Sequence, residues 1–175
     1  MRAVYPGSFN PPTIGHIAIV NSAINRFGIS ELHLAISTVA LGKEELTVPS
    51  VADRVEILRR SLSQIPEASV LETRKQLIAD IAEGYDLVIL GADKWAQLHD
   101  LSFYEDQEHM AQCLRRLPKL AVAPRNGIAV PQEILLTVPE EINSISSSRV
   151  RRGKFEWMTK EAYEIGKDRG FWGIS

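Results

Sequence analysis

The sequence predicts an α/β protein, a Rossmann-like, doubly wound parallel sheet with helices on both faces. Three observations predict it. Short apolar runs alternate with longer stretches of helical periodicity, turn residues separate them, and a strand, a helix and a second strand follow one another within the first 36 residues. So compact a segment favours a right-handed crossover between parallel strands. We expect a single domain over residues 1–175, with a C-terminal helical part from about residue 144.

The strands are predicted from apolar or alternating runs that turn residues end. The first run, Ala3-Val4-Tyr5, stops at Pro6-Gly7, because glycine tolerates the positive φ that a tight turn needs. Residues 85–90 are the most strand-like run of the chain. In chain order we expect strands over residues 3–5, 31–36, 68–71, 85–90, 119–123 and 134–138.

The helices are predicted from capping residues followed by apolar positions at helical spacing. Thr13 is a good N-cap for the first helix, and Gly28 ends it. Residues 50–53, 73–76 and 102–105 each begin with a hydroxyl side chain and are typical of a helix start. We expect helices over about residues 15–27, 51–62, 73–83, 102–117, 144–152 and 159–167.

Ligands of such sheets bind beyond the carboxyl ends of the strands, where the strand order reverses. Four segments follow predicted strands at that edge: residues 6–16, 37–49, 91–93 and 124–127. We therefore expect them to face one crevice.

The segment from Gly7 to His16 has the character of a phosphate-binding site. A strand leads through a glycine-containing loop to a helix N-terminus, where free N–H groups and the helix dipole favour anions. Thr13 and His16 lie three residues apart and so share one face of the first turn, and Gly15 between them leaves room for a ligand. The segment is neither a P-loop nor the dinucleotide fingerprint.

A second cluster lies at residues 145–151, Ile-Ser-Ser-Ser-Arg-Val-Arg. Hydroxyls at a helix start, with arginines one turn further on, are able to hold a polyphosphate. Taken alone, the cluster fits a serine-rich N-cap with exposed arginines equally well.

Together the two segments resemble the two signatures of the nucleotidyltransferase superfamily that contains mononucleotide adenylyltransferases, phosphopantetheine adenylyltransferase and cytidylyltransferases. The first match is Gly-Ser-Phe-Asn-Pro at residues 7–11 with Thr-Ile-Gly-His at 13–16, and the second is residues 145–151. The resemblance implies transfer of AMP from ATP, with Thr13, His16 and Arg151 as catalytic residues. It also implies that ATP is bound by Gly7, Ser8, Phe9, Gly15, Gly91, Asp93, Ser146, Ser147 and Ser148.

Further site residues are implied by the same resemblance, each with an ordinary structural alternative. Asp93, in Gly-Ala-Asp, resembles the G-x-D element of mononucleotide adenylyltransferases, but it also fits the N-cap of a short helix. Arg125 resembles a loop arginine of that branch and Arg54 a helix arginine. Lys43 resembles a phosphate-binding loop lysine. The alternative for these three is a solvated or ion-paired surface residue.

The acceptor is harder to predict than the reaction. The Gly-Ala-Asp element and the Arg125 loop favour nicotinamide or nicotinate mononucleotide, and hence NAD biosynthesis. Leu101 stands where the nicotinate-type enzymes carry a stacking tryptophan, so Trp95, Phe103 and Tyr104 are the candidate substitutes. The opening strand and Thr13 look more like phosphopantetheine adenylyltransferase, of coenzyme A biosynthesis. A non-catalytic ATP-binding sensor or interaction module stays open as a third hypothesis.

In the resemblance, Mg²⁺ accompanies ATP and bridges phosphate oxygens, so we expect no metal site built from protein side chains. A net charge of −2 gives no general attraction to nucleic acid or to an anionic membrane. The single cysteine, Cys113, is expected to be a buried, unreactive thiol, and His33, His99 and His109 show no ligand spacing. No apolar run approaches the length of a membrane span, and we expect a cytoplasmic protein. The sequence leaves a homo-oligomer open.

Overall fold

The computed structural model describes residues 1–39 and 48–174. Within them, five strands form one parallel sheet in the order β3-β2-β1-β4-β5, which confirms the predicted fold class. The chain order reverses between β1 and β4, so the ligand crevice is expected at the carboxyl ends of these two strands. The strands are β1 (Arg2–Pro6), β2 (Glu31–Ser37), β3 (Ala68–Thr73), β4 (Leu87–Gly91) and β5 (Lys119–Ala123).

The α-helices of the described residues connect the strands and then form the C-terminal part. They are α1 (Ile14–Phe27), α2 (Val51–Ser61), α3 (Ile78–Ile81), α4 (Ala92–Gln97), α5 (Gln107–Arg116), α6 (Ser147–Val150) and α7 (Lys160–Arg169). Short 3₁₀ turns occupy Leu101–Phe103, Glu140–Ser144, Phe155–Trp157 and Phe171–Gly173. No helix of the described residues is long and apolar enough to cross a membrane.

The two faces of the sheet carry separate apolar cores. Alternate residues of a strand point to opposite faces, so Ala3 and Tyr5 pack on one side with α1 and α2, while Val4 packs on the other with α3 and α4. A third apolar cluster joins α2 to the C-terminal part through Ile57 and Ala162. Cys113 is buried, as predicted.

Several predicted helix starts are confirmed by their hydrogen bonds. Thr13, Ser50 and Thr159 are N-caps whose side chains each accept a hydrogen bond from the first turn. Gly28 ends α1 in the left-handed region, with φ of 59°.

Two predicted helix starts are wrong. Thr73 is the last residue of β3, paired with Ser37, and α3 begins only at Ile78 with no side-chain cap. Ser102 lies within a 3₁₀ turn, and the cap of α5 is Asp106, whose carboxylate accepts from the His109 N–H over 2.8 Å. Strand pairing and a stronger neighbouring cap therefore override the local pattern at these positions.

Two further predicted elements differ from the structure. Residues 134–138 form no strand and make only one bridge to β5, between Val122 and Leu135. The helix expected over residues 144–152 is limited to α6, which follows a separate 3₁₀ turn and is capped by Ser146.

Candidate active site

A cavity of about 280 Å³ lies at the carboxyl ends of β1, β4 and β5. Segments 6–16, 91–93 and 124–125 contribute to its lining, together with residues of the second serine-arginine cluster. Three of the four predicted loops therefore meet as expected. Of the fourth, residues 40–47 lie outside the described residues, and Ser37 and Val39 line a second, adjacent cavity.

Thr13 and His16 form a reciprocal cap at the start of α1. The Thr13 backbone N–H donates to Nδ1 of His16 over 3.0 Å, and the His16 backbone N–H donates to the Thr13 hydroxyl oxygen over 3.2 Å. The Thr13 hydroxyl also lies 3.0 Å from the same Nδ1, and its residue is 1% exposed. Thr13 thus fixes the orientation of the imidazole, a role that the sequence did not reveal.

These contacts define the protonation state of His16. Nδ1 accepts a backbone N–H and so carries no proton, which places the proton of the neutral ring on Nε2. Burial, with a smaller contribution from the positive charge of Arg125, lowers the pKa of His16 to about 4. At neutral pH the imidazole is therefore an uncharged N–H donor that lines the cavity.

The Phe9 ring packs against the imidazole of His16. It is 2% exposed and meets the imidazole edge-on at a centroid distance of 5.1 Å. Gly7 makes this possible, because a Cβ at that position would lie 2.8 Å from Cζ of Phe9. The backbone of Phe9 adopts a φ of 46°, which is uncommon for a bulky residue.

The second predicted cluster meets the first directly. The Ser147 hydroxyl donates to the Pro11 carbonyl over 2.7 Å, and the Arg151 guanidinium donates to the Asn10 carbonyl. Gly15 allows the approach, because a Cβ there would lie 3.1 Å from Cγ2 of Ile145. Ser146, Ser147, Ser148 and Arg151 all line the cavity with His16, so two segments distant in sequence surround one space.

Asp93 and Arg125 form an ion pair at the rim of the cavity. Asp93 lies inside the first turn of α4, and the N-cap is Gly91, so the alternative interpretation of Asp93 as the N-cap is wrong. Gly91 has φ of −75°, and apart from its chain neighbours no atom of the described residues lies within 4 Å of where a Cβ would be, so the described part of the fold does not require glycine there.

A second cavity, of about 300 Å³, shares Pro6, Gly7, Ser8 and Lys94 with the first. Arg54 lines it, is 6% exposed, and donates from Nη1 to the Ser8 carbonyl over 3.1 Å. Lys94 lines both cavities and was missed by sequence reasoning. Its position directly after Asp93, in the first turn of α4, was the available signal.

The predicted aromatic candidates are only partly brought to these cavities. Phe103 lines the second cavity and is 37% exposed. Trp95 packs against the core beneath the sheet, and the Tyr104 hydroxyl donates to the Leu98 carbonyl over 3.0 Å. Neither residue lines either cavity, because the Trp95 ring packs against the core and the Tyr104 hydroxyl is hydrogen-bonded to the backbone at the end of α4. Lys43 lies outside the described residues.

The sequence comparisons agree with this geometry. A sequence model of the Cytidylyltransferase-like family matches residues 4–153, which include both cavity-lining segments. The chain belongs to this family, and it is a nucleotidyltransferase.

Named relatives carry two different activities. The chain is 29% identical to a probable nicotinate-nucleotide adenylyltransferase of Sulfurimonas denitrificans, across 95% of this chain and 94% of the relative. It is 33% identical to the phosphopantetheine adenylyltransferase of Nautilia profundicola, across 51% of this chain and 54% of that protein. The phosphopantetheine adenylyltransferase of Flavobacterium psychrophilum is 28% identical, across 86% of this chain and 85% of its own length.

Proposed function

We propose that the protein transfers AMP from ATP to the phosphate of a pyridine mononucleotide, with release of pyrophosphate. The observation that carries the proposal is the convergence of His16 and the Ser147–Arg151 region on one cavity, beside a second cavity lined by cations. An oxygen of the acceptor phosphate would attack the α-phosphorus of ATP as the bond to pyrophosphate breaks. The protein then needs no nucleophile of its own, and catalysis rests on positioning and charge stabilisation.

The first cavity is assigned to ATP. The Nε2–H of His16, which lines this cavity, is a preorganised donor for a phosphate oxygen on which negative charge develops. Thr13 holds that donor in place. Backbone N–H groups near Ser8 and Phe9 are the donors that we assign to the α-phosphate. Ser147, Ser148 and Arg151 are assigned to the β- and γ-phosphates, because hydroxyl and guanidinium donors match phosphate oxygens.

Mg²⁺ is proposed to enter with ATP. The described residues contain no group of three His, Cys, Asp or Glu side chains that could hold a metal ion, and the one carboxylate among the described cavity-lining residues, Asp93, is paired with Arg125. Phosphate oxygens and water are therefore the expected ligands, as is common for Mg²⁺. The ion would neutralise phosphate charge.

The second cavity is assigned to the acceptor. Arg54 and Lys94 line it, and none of its described lining residues is acidic. This charge balance favours an anionic acceptor, and nicotinate mononucleotide carries a carboxylate in addition to its phosphate. Phe103 offers a ring face to the pyridine. The relative from Sulfurimonas denitrificans, which aligns along nearly the whole chain, supports the same acceptor.

Phosphopantetheine is the second candidate acceptor, supported by the relatives of that activity and by the resemblance of the opening strand. A non-catalytic ATP-binding module is the third hypothesis. The oriented imidazole argues against it, because a pure binder has no need of a donor aimed at developing charge.

One assay separates the three hypotheses. The protein is incubated with ATP, Mg²⁺ and, in turn, nicotinate mononucleotide, nicotinamide mononucleotide or 4′-phosphopantetheine, and pyrophosphate release is measured. We expect the highest kcat/KM with nicotinate mononucleotide. Turnover with 4′-phosphopantetheine alone would support the second candidate, and ATP binding without turnover would support the module.

A further inference from the structure

The loop at residues 10–13, between β1 and α1, accepts hydrogen bonds from residues of the C-terminal part of the chain. The Asn10 carbonyl accepts from Arg151, the Pro11 carbonyl from the Ser147 hydroxyl, and the Pro12 carbonyl from the Thr159 N–H over 3.2 Å. Thr13 forms an antiparallel bridge with Met158. The flanking residue Phe9, and Thr13 itself, line the cavity assigned to ATP.

A further contact, more distant in sequence than those above, holds the side chain of Asn10. The indole Nε1–H of Trp172 donates to Oδ1 of Asn10 over 2.7 Å, across 162 positions of sequence. An indole N–H is only a donor, so the amide oxygen of Asn10 must face it. The same residue, Asn10, therefore connects Trp172 on one side with Arg151 on the other.

The fold accommodates Trp172 at a conformational cost. Its backbone lies in the left-handed region, with φ of 56° and ψ of 15°, which a bulky residue rarely adopts. Its ring occupies space that Gly166 leaves on α7, because a Cβ there would lie 2.9 Å from Cε3 of the indole. Glycine inside a helix is itself unfavourable relative to alanine. The left-handed backbone of Trp172 and the glycine inside α7 are both unfavourable, and both are needed to place the indole ring here. Such a pattern points to a function for the contact.

We propose that Trp172 is a positioning residue for the nucleotide cavity: it holds Asn10, and through Asn10 the guanidinium of Arg151. The proposal rests on the assignment of ATP to that cavity. With the indole N–H removed, the loop and Arg151 sample more orientations, and ATP must order them when it binds. Removal of the indole N–H should therefore raise the Kd for ATP and lower kcat.

The test is a double-mutant cycle of Trp172→Phe and Asn10→Ala. The first variant keeps an aromatic ring and removes the N–H, and the second removes the acceptor. Trp157→Phe is the matched control, since its ring packs against the same C-terminal apolar cluster. The Kd for ATP with Mg²⁺ is measured by titration calorimetry, kcat by pyrophosphate release, and Tm by melting.

We expect each single variant to weaken ATP binding about two- to tenfold, the range for loss of one hydrogen bond. The double variant should lose no more than either single variant, because both remove the same interaction. Trp157→Phe should bind ATP as the wild type does. An unchanged Kd in Trp172→Phe, equal losses in both tryptophan variants, or losses that multiply in the double variant would overturn the proposal.

The outcomes also separate this proposal from the proposed function. A wild-type protein that binds ATP but releases no pyrophosphate with any of the three acceptors refutes the function, and the Kd cycle still decides the role of Trp172. A wild-type protein that binds no ATP overturns both. A lower Tm in Trp172→Phe with unchanged Kd would show a purely structural contact and overturn the positioning role alone.

Discussion

The Thr13 backbone N–H and the His16 ring are joined by a hydrogen bond of 3.0 Å to Nδ1, and this contact sets the chemistry of the site. It fixes the tautomer, so that Nε2 carries the proton, and it fixes the ring orientation within the first turn of α1. A capping arrangement that usually serves only helix stability here also orients the imidazole that lines the first cavity, and under the proposed function its Nε2–H is the donor to phosphate.

Replacement of His16 by alanine should lower kcat by about 10²–10³, the usual effect of removing one preorganised donor. The ring lines the cavity, and the Thr13 cap to the His16 backbone N–H survives the change, so the fold should persist. Steady-state pyrophosphate release and circular dichroism check both parts. His99→Ala is the control, because its exposed ring lies outside both cavities. Turnover near the wild-type level in His16→Ala would remove His16 from the catalytic residues.

The lowered pKa of His16 predicts a defined pH dependence. The folded protein keeps the ring neutral down to pH of about 4, whereas the unfolded chain protonates it near its ordinary value of 6.5. Between these values the unfolded state binds more protons, so the free energy of unfolding contributed by His16 is full above pH 6.5 and falls as the pH is lowered toward 4.

An NMR titration of the His16 ring should accordingly show a midpoint near pH 4. Denaturant unfolding at several pH values should show a weaker loss of stability below pH 6.5 in His16→Gln than in the wild type. A ring midpoint at pH 6 or above would contradict a neutral imidazole at this partly buried position.

Gly15→Ala should impair activity although alanine favours the helix. Alanine gains up to about 1 kcal/mol in a helix interior relative to glycine, but its Cβ would meet Cγ2 of Ile145 at 3.1 Å. The two cavity-lining segments would be pushed apart, and we expect kcat/KM to fall roughly tenfold, since small displacements at a reacting site are costly.

A compensating substitution tests that explanation. Ile145→Val shortens the opposing side chain but keeps Cγ2, whereas Ile145→Ala removes it. The double variant with Ile145→Ala should therefore recover more activity than the one with Ile145→Val. Equal recovery, or none, would show that Gly15 is needed for another reason.

Lys94→Gln should lower kcat/KM for the acceptor by about 10–100-fold, because Lys94 borders both cavities and a charged donor to phosphate is lost. Stability should change by less than about 0.5 kcal/mol, since the residue is exposed. Lys75→Gln is the control, an exposed lysine that is paired with Glu83 and lines neither cavity. Similar kinetics in the two variants would place the reacting phosphates elsewhere.

The parallel sheet and several helix starts depend on interactions between residues that are close in sequence. The parallel sheet was predictable because apolar runs, caps and turn residues all act within a few positions. His16 and Ser147, which line the first cavity, were predicted as site residues because helix starts are favourable places for anions. The predictions of helix starts at Thr73 and Ser102 were wrong, because a hydroxyl side chain at such a position is equally compatible with a strand end or a 3₁₀ turn.

The sequence by itself determined the parallel sheet, the helix caps at Thr13, Ser50 and Thr159, and the two segments that line the first cavity. Only the tertiary structure decided that those segments share one cavity, that Arg54 is buried beside Ser8, and that Trp172 holds Asn10. It also decided that Trp95 and Tyr104 stay out of both cavities. The physical reason is that caps and strand patterns depend on neighbours in sequence, whereas burial and long-range hydrogen bonds depend on how distant elements pack.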